Sequence, residues 1–250
     1  MSAGHWLAID TATEIASVAA GRRLDNGTAT SDSGAHVEGA RRHAAEIVRL
    51  IDFALARIGV AARDLDGVVV GDGPGSFTGL RIGWAAAKGL AHEAGLQFVA
   101  VPSLLAAVAG ATVKLGAVPI AACFDALRGD VYGALYIVHP ERVETLVAPA
   151  TMTLAEFART APVVPEMVVG DGATRDSDAV REWTGTPPVP LASLPPLATM
   201  LLSLSTRTGA ARVIDDLLTA EPVYGRPAEA QAKWEAQHGR PLPDPSRPAH

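Results

Sequence analysis

Gly67-Val-Val-Val-Gly-Asp-Gly-Pro-Gly-Ser-Phe-Thr-Gly79 runs from an unbroken apolar stretch through a glycine-rich turn into the start of a helix. Three valines with no polar alternation suit a strand covered on both faces, which is the habit of parallel sheets flanked by helices. The glycines permit positive φ and let backbone amides converge, and a helix N-terminus follows. Gly73, Pro74, Gly75, Ser76, Phe77, Thr78 and Gly79 are therefore a candidate anion cradle. The segment is not a Walker loop, because no Lys-Ser or Lys-Thr pair follows the glycines. It is not a dinucleotide fingerprint either, since Gly71-x-Gly73-x-x-Ser76 ends in serine. A tight strand-to-helix turn without a ligand is the competing reading.

Upstream, Trp6 to Asp10 reads as a buried strand and Ile15 to Ala20 as a second, separated by the polar turn Thr11–Glu14. Leu24 to Ser31 is expected to add a third strand, with the hairpin turn between Gly21 and Gly27. Ala44, Ile47, Val48, Ile51, Leu55 and Ile58 recur at helical spacing, and Gly59 is a natural stop. Downstream, Leu96 to Val101 is a strand and Pro102-Ser103 opens a helix. The plan then starts again: Ile120 to Asp125, a polar turn, and Val131 to Val138 repeat the opening strands. Met167-Val-Val-Gly-Asp-Gly172 repeats Val68-Val-Val-Gly-Asp-Gly73, 99 positions on. Two matches in the same order imply a duplication whose halves meet near residues 100–115. Leu197 to Leu204 and Ala211 to Leu218 are expected helices. A polar tail follows Tyr224, with a short helix expected at 228–237.

Composition narrows the function classes. The chain has 250 residues, 48% hydrophobic and 19% charged, enough apolar surface to fold without staples. A net charge of −6 argues against a surface devoted to nucleic-acid backbones. The single cysteine, Cys123, lies in an apolar run, which excludes a disulfide framework and a Cys-based zinc site. The opening residues show no basic region followed by an apolar core, and the long uncharged stretches are broken by glycine and proline. A soluble, cytoplasmic protein without a membrane span is the expectation.

Two constellations compete for chemistry. Asp10, Glu46 and Asp72 fall at the end of the first strand, on the first helix, and just past the next strand. Nucleases of the ribonuclease H fold hold two metals with carboxylates so placed. The preferred reading is structural: Asp10 and Asp72 cap turns and Glu46 is a solvated helix charge, because a loop of glycines and proline is an odd metal anchor. The other is the helix after the glycine loop, with Gly79, Gly83, Ala86, Ala87 and Gly89. Helical glycine costs about 1 kcal/mol against alanine, so a close neighbouring backbone is implied, either this chain's or a partner's.

The whole set resembles a known family. Leu7-Ala-Ile-Asp-Thr-Ala-Thr-Glu14, Arg42-His43, Gly71 to Gly83 with Ala87-Lys-Gly-Leu90, and Phe124-Asp-Ala-Leu-Arg-Gly-Asp-Val-Tyr132 are similar to the landmarks of the TsaB (YeaZ) family. Gly170-Asp-Gly-Ala173 and Pro222-Val-Tyr-Gly-Arg226 resemble its later ones. The resemblance implies an α/β protein of two tandem ribonuclease-H-like domains of the actin-like ATPase type, here 1–103 and 104–225, with a polar tail at 226–250. It implies a non-catalytic subunit that supports the catalytic homologue TsaD and the ATPase TsaE. That complex forms N6-threonylcarbamoyladenosine at position 37 of tRNAs reading codons that start with A, so tRNA is met through the complex. It implies no cofactor of its own beyond a weak or shared ATP/ADP site in the complex, and it allows a homodimer of the isolated protein. The family's helical pairing surface points to His43, Ile47, Leu50, Leu80, Arg81, Gly83, Trp84, Ala87 and Lys88 as partner interface. His36-Val-Glu-Gly-Ala40 is similar to the His-x-Glu-Gly-His metal motif of the catalytic homologue but lacks its second histidine, and is read as coincidence. A metal-dependent nuclease on Asp10, Glu46 and Asp72 is the alternative, and an ATPase using the glycine loop a third.

Overall fold

A computed structural model describes residues 4–226. The expected 228–237 helix, and all but the first residue of the 226–250 tail, lie outside the described residues. β1 (Gly4–Asp10), β2 (Ile15–Arg23) and β3 (Ala29–Glu38) form an antiparallel meander, followed by α1 (His43–Ile58), β4 (Gly67–Gly71), α2 (Phe77–Ala94), β5 (Gln97–Val101) and α3 (Ser103–Leu115). β4 pairs parallel to β1, and β5 parallel to β4, as fully apolar strands between helices do. The second half repeats the plan with β6 (Pro119–Asp125), β7 (Asp130–Val138), β8 (Val143–Thr153), α4 (Leu154–Thr160) and β9 (Met167–Val169), which returns parallel to β6. α5 (Asp171–Arg175), α6 (Ser177–Thr184), α7 (Leu197–Leu204) and β10 (Arg212–Ile214) complete the described chain.

The sheet orders are β10-β5-β4-β1-β2-β3 and β8-β7-β6-β9. In both, three antiparallel strands are followed by a parallel strand beside the first. This is the ribonuclease-H-like plan used twice, as in actin-like ATPases. The repeated Val-Val-Gly-Asp-Gly segments occupy the same place in it, at the ends of β4 and β9.

Several boundaries differ from the sequence reading. The third strand begins after a turn at Leu24–Gly27, closed by Leu24 N–H donating to Thr28 O at 2.8 Å, and runs to Glu38. Its mostly polar, exposed sequence, Ala-Thr-Ser-Asp-Ser-Gly-Ala-His-Val-Glu, carries little strand pattern because it is an edge. Ala211–Leu218 is not a helix. Arg212–Ile214 pairs antiparallel with Phe98–Ala100, since eight residues make a poor isolated helix and the free edge of β5 offers backbone partners. On α1 the buried stripe is His43, Ile47, Ile51, Ala54 and Leu55, so Ala44 and Val48 face outward.

The division at 103/104 is also not a clean one. β10 belongs to the first sheet, and α7, apolar on nearly every side, packs on β1, β2, β3 and α3. α3 is buried from Ser103 to Ala111, and one core joins Trp6, Val69 and Val99 of the first half to Ile120, Phe124 and Tyr136 of the second. No helix among the described residues is long and apolar enough to cross a membrane.

Candidate functional site: the glycine loop and its carboxylates

The loop after β4 folds against the turn after β1. Ser76 caps α2, its Oγ accepting from Gly79 N–H at 3.2 Å. Ser76 N–H donates to Ala12 O at 2.7 Å, Gly73 N–H to Ser103 Oγ at 3.3 Å, and Asp72 N–H to Val101 O at 2.8 Å. Four amides that could have faced an anion are thus bonded within the chain. A Cβ on Gly75 or Gly79 would strike the carbonyl oxygen of Ala12 or Thr11, and one on Gly83 would strike Thr11 Oγ1. Thr11 Oγ1 donates to Gly79 O at 2.7 Å. The small-residue stripe of α2 therefore seats the Thr11–Ala12 turn of the same chain, and the groove expected to face a partner is filled internally.

The three carboxylates do not converge. Asp10 is fully buried, accepting from Ser103 Oγ at 2.6 Å and Ala12 N–H at 3.0 Å. Burial pushes its pKa up to about 6 against the pull of those two donors. Asp72 is clamped by Arg212, whose Nε and Nη2 each donate to one carboxylate oxygen at 2.8 Å, while Nη2 also donates to Glu221 O at 2.9 Å. Glu46 sits on the helix surface between Arg49 at 3.3 Å and Arg42 at 3.7 Å. Among the described residues no group of three or more His, Cys, Asp and Glu is placed to hold a metal ion. The Asp10–Glu46–Asp72 metal reading is corrected accordingly: each carboxylate has its own separate partners.

Burial also redraws the expected interface. His43, Ile47, Leu80, Gly83, Trp84 and Ala87 are interior. His43 Nε2 lies 3.1 Å from Glu14 O, and Trp84 Nε1 donates to Gly71 O at 3.1 Å and packs on Phe98. These side chains belong to the core because α1 and α2 cover one face of the first sheet. Leu50 and Lys88 are half-buried and Arg81 is exposed. Arg81 donates to Tyr224 Oη at 3.2 Å, with its guanidinium 4.4 Å from the Phe77 ring centre, and Lys88 Nζ donates to Ala220 O at 2.5 Å. Sequence reasoning missed the exposed Phe53 on α1 and missed Arg212 and Glu221 altogether, and it held Tyr224 only as part of a family landmark. No local pattern pairs Arg212 with Asp72 or Tyr224 with Arg81, which lie 140 and 143 residues apart in the chain.

A cleft of about 300 Å³ between the two halves is lined by Thr13, Glu14, Glu38, Asp171, Thr174 and Leu191, among others, with no lysine or arginine in its lining. Three carboxylates make it a poor host for a polyphosphate.

Known proteins are similar to this chain in sequence and in overall fold. The family described as TsaD: tRNA N6-adenosine threonylcarbamoyltransferase has a model that matches residues 36–188. The tRNA threonylcarbamoyladenosine biosynthesis protein TsaB of Bacillus subtilis is 30% identical over 198 residues, covering 78% of this chain and 84% of that protein. The protein of the same name from Escherichia coli is 39% identical over 150 residues, 57% of this chain and 62% of that one, so the matched stretch spans under two thirds of this relative. The structure of YeaZ from Pseudomonas aeruginosa is similar with a TM-score of 0.68 at 30% identity, over 90% of this chain and all of that one. With the motifs, the doubled fold and these likenesses in agreement, the chain belongs to the TsaB (YeaZ) family.

Proposed function

We propose that this chain is a non-catalytic subunit in the biosynthesis of tRNA threonylcarbamoyladenosine. It would support a homologous catalytic subunit of the TsaD type and an ATPase of the TsaE type, with tRNA met through the assembly. The observation that carries the reading is the state of the carboxylates. In a fold whose catalytic members use such groups at the strand ends, Asp72 is neutralised by Arg212 and Asp10 is sealed beneath the loop by Ser103. The names of the B. subtilis and E. coli relatives supply the pathway. Of the expected interface, Arg81 is exposed and Leu50 and Lys88 are half-buried, so these three are the part left at the surface for a partner.

Nucleoside mass spectrometry of tRNA from a strain lacking the gene is expected to show loss of threonylcarbamoyladenosine, restored by the intact chain. Normal levels in a strain without a paralogue would overturn the proposal. Co-purification from the native host tests the subunit role separately, and calorimetry with ATP and Mg²⁺ on the isolated chain is expected to show weak or no binding.

A further inference from the structure

Residues 220–226 have no regular secondary structure, yet they bridge the two halves through a continuous run of contacts. Ala220 O accepts from Lys88 on α2, and Glu221 O from Arg212. Val223 N–H donates to Asp72 O at 2.8 Å, at the entrance of the glycine loop. The Tyr224 ring lies 4.6 Å from that of Phe77, and its hydroxyl joins Arg81 to Glu221. One residue later the contacts change over to the second half. Gly225 O accepts from Thr151 Oγ1 of β8 at 3.0 Å, and Arg226 pairs with Asp130, the first residue of β7. Gly225 is the pivot. Its φ is 73°, and a Cβ there would lie 2.6 Å from the Tyr132 ring and 2.7 Å from Pro74 Cβ, one atom from each half.

Asp130 in turn closes the β6–β7 turn. Its N–H donates to Leu127 O at 3.0 Å, and Arg175 donates to its carbonyl at 3.2 Å while pairing with Asp125. Leu127 and Arg128 hold positive φ of 63° and 55° there, which non-glycine residues keep only where surrounding contacts impose it. Tyr224 and Arg226 are two residues apart, a span of about 7 Å at full extension. That leaves little slack for one end of the segment to move while the other stays seated.

We propose that residues 222–226 are a conformational relay coupling the β6–β7 turn of the second half to the glycine loop of the first. Drawing Arg226 away from Asp130 unseats Tyr224 from Phe77 and Arg81, releases Val223 from Asp72, and loosens the first turn of α2. A short segment with few buried apolar side chains and exposed hydrogen bonds is the kind that opens as a local unit below the global unfolding free energy. The coupling works in both directions, as any equilibrium linkage must.

Hydrogen exchange on the full chain tests this, reading the amides of Gly79, Leu80 and Val223 in the variant Asp130→Asn. The relay predicts that they exchange at least tenfold faster than in the parent, while the amides of Val18 in β2 and Leu201 in α7 are unchanged. Thr151→Val, which removes the other second-half contact, is expected to move the same amides less. In the reverse direction, Phe77→Ala is expected to speed the Asp130 amide. Acceleration confined to the β6–β7 turn in Asp130→Asn would overturn the relay, because the halves would then be uncoupled. Equal acceleration at Val18 and Leu201 would also overturn it, by showing a global loss of stability in place of a local path.

Discussion

Asp10 and Asp125 end the first strand of their respective halves, and Asp72 and Asp171 follow β4 and β9, yet the pairs are held in opposite ways. In the first half Asp10 is buried with neutral donors only, Ser103 and the Ala12 amide, and Asp72 takes the cation, Arg212. In the second half Asp125 takes the cation, Arg175, and Asp171 accepts from the amides of Asp125 and Gly172. Burial raises the pKa of both Asp10 and Asp171, the two members without a bonded arginine. The duplication thus preserved positions while the partners were exchanged. A carboxylate pair at these strand ends is stable if one member is ion-paired and the other satisfied by neutral donors. Either division leaves neither half with two free carboxylates facing one metal.

The largest expected effect that sharpens this contrast is at Asp10. Its folded pKa of about 6 lies above the ordinary 3.8, so the folded state holds the proton more tightly than the unfolded chain. The resulting stability is fully present below pH 3.8 and is lost as pH rises through about 6. Two units of difference correspond to about 3 kcal/mol. Asp10→Asn should remove that slope, measured as the difference between parent and variant in urea unfolding from pH 4 to 7. An identical slope in both would mean that Asp10 is hydrated or paired in solution.

Next in size is Gly83→Leu. Because Gly83 abuts Thr11, the added side chain overpacks the contact between α2 and the β1–β2 turn, costing ~1–3 kcal/mol in thermal or chemical unfolding. Gly89, on the same helix, has nothing within reach of a Cβ, so Gly89→Ala should gain about 1 kcal/mol through helix propensity alone. Opposite signs at two glycines six residues apart would establish which face of α2 is seated. A stable Gly83→Leu variant would break that assignment. The smallest effect is expected at Asp125→Asn. Its pair with Arg175 is about a third exposed, and such pairs contribute roughly 0.2–1 kcal/mol, weakened further by salt. A loss comparable to that at Gly83 would show the two halves to be more alike than their burial indicates.

Much of this was open to reading along the chain. Val68–Val70 is apolar at every position and forms the buried strand that this pattern predicts, and the two Val-Val-Gly-Asp-Gly segments sit at equivalent sheet positions. The strand ends, the helix after Ser76 and the family motifs are all written in neighbouring residues, where period, glycine and capping chemistry act over a few positions. The direction of the Gly79–Gly83 stripe was not, because helical spacing says that a backbone comes close without saying whose. Nor were the conversion of Ala211–Leu218 into an edge strand, the arginines that claim Asp72 and Asp125, and the bridge at Gly225. Each depends on which surfaces meet after the two halves have packed on a shared core. Arg212 is 140 residues from Asp72 and Arg226 is 96 from Asp130, so no local propensity encodes those pairs. Periodicity and turn chemistry are short-range and can be read in order, whereas the partner of a charge or the neighbour of a glycine exists only once distant segments have been brought together.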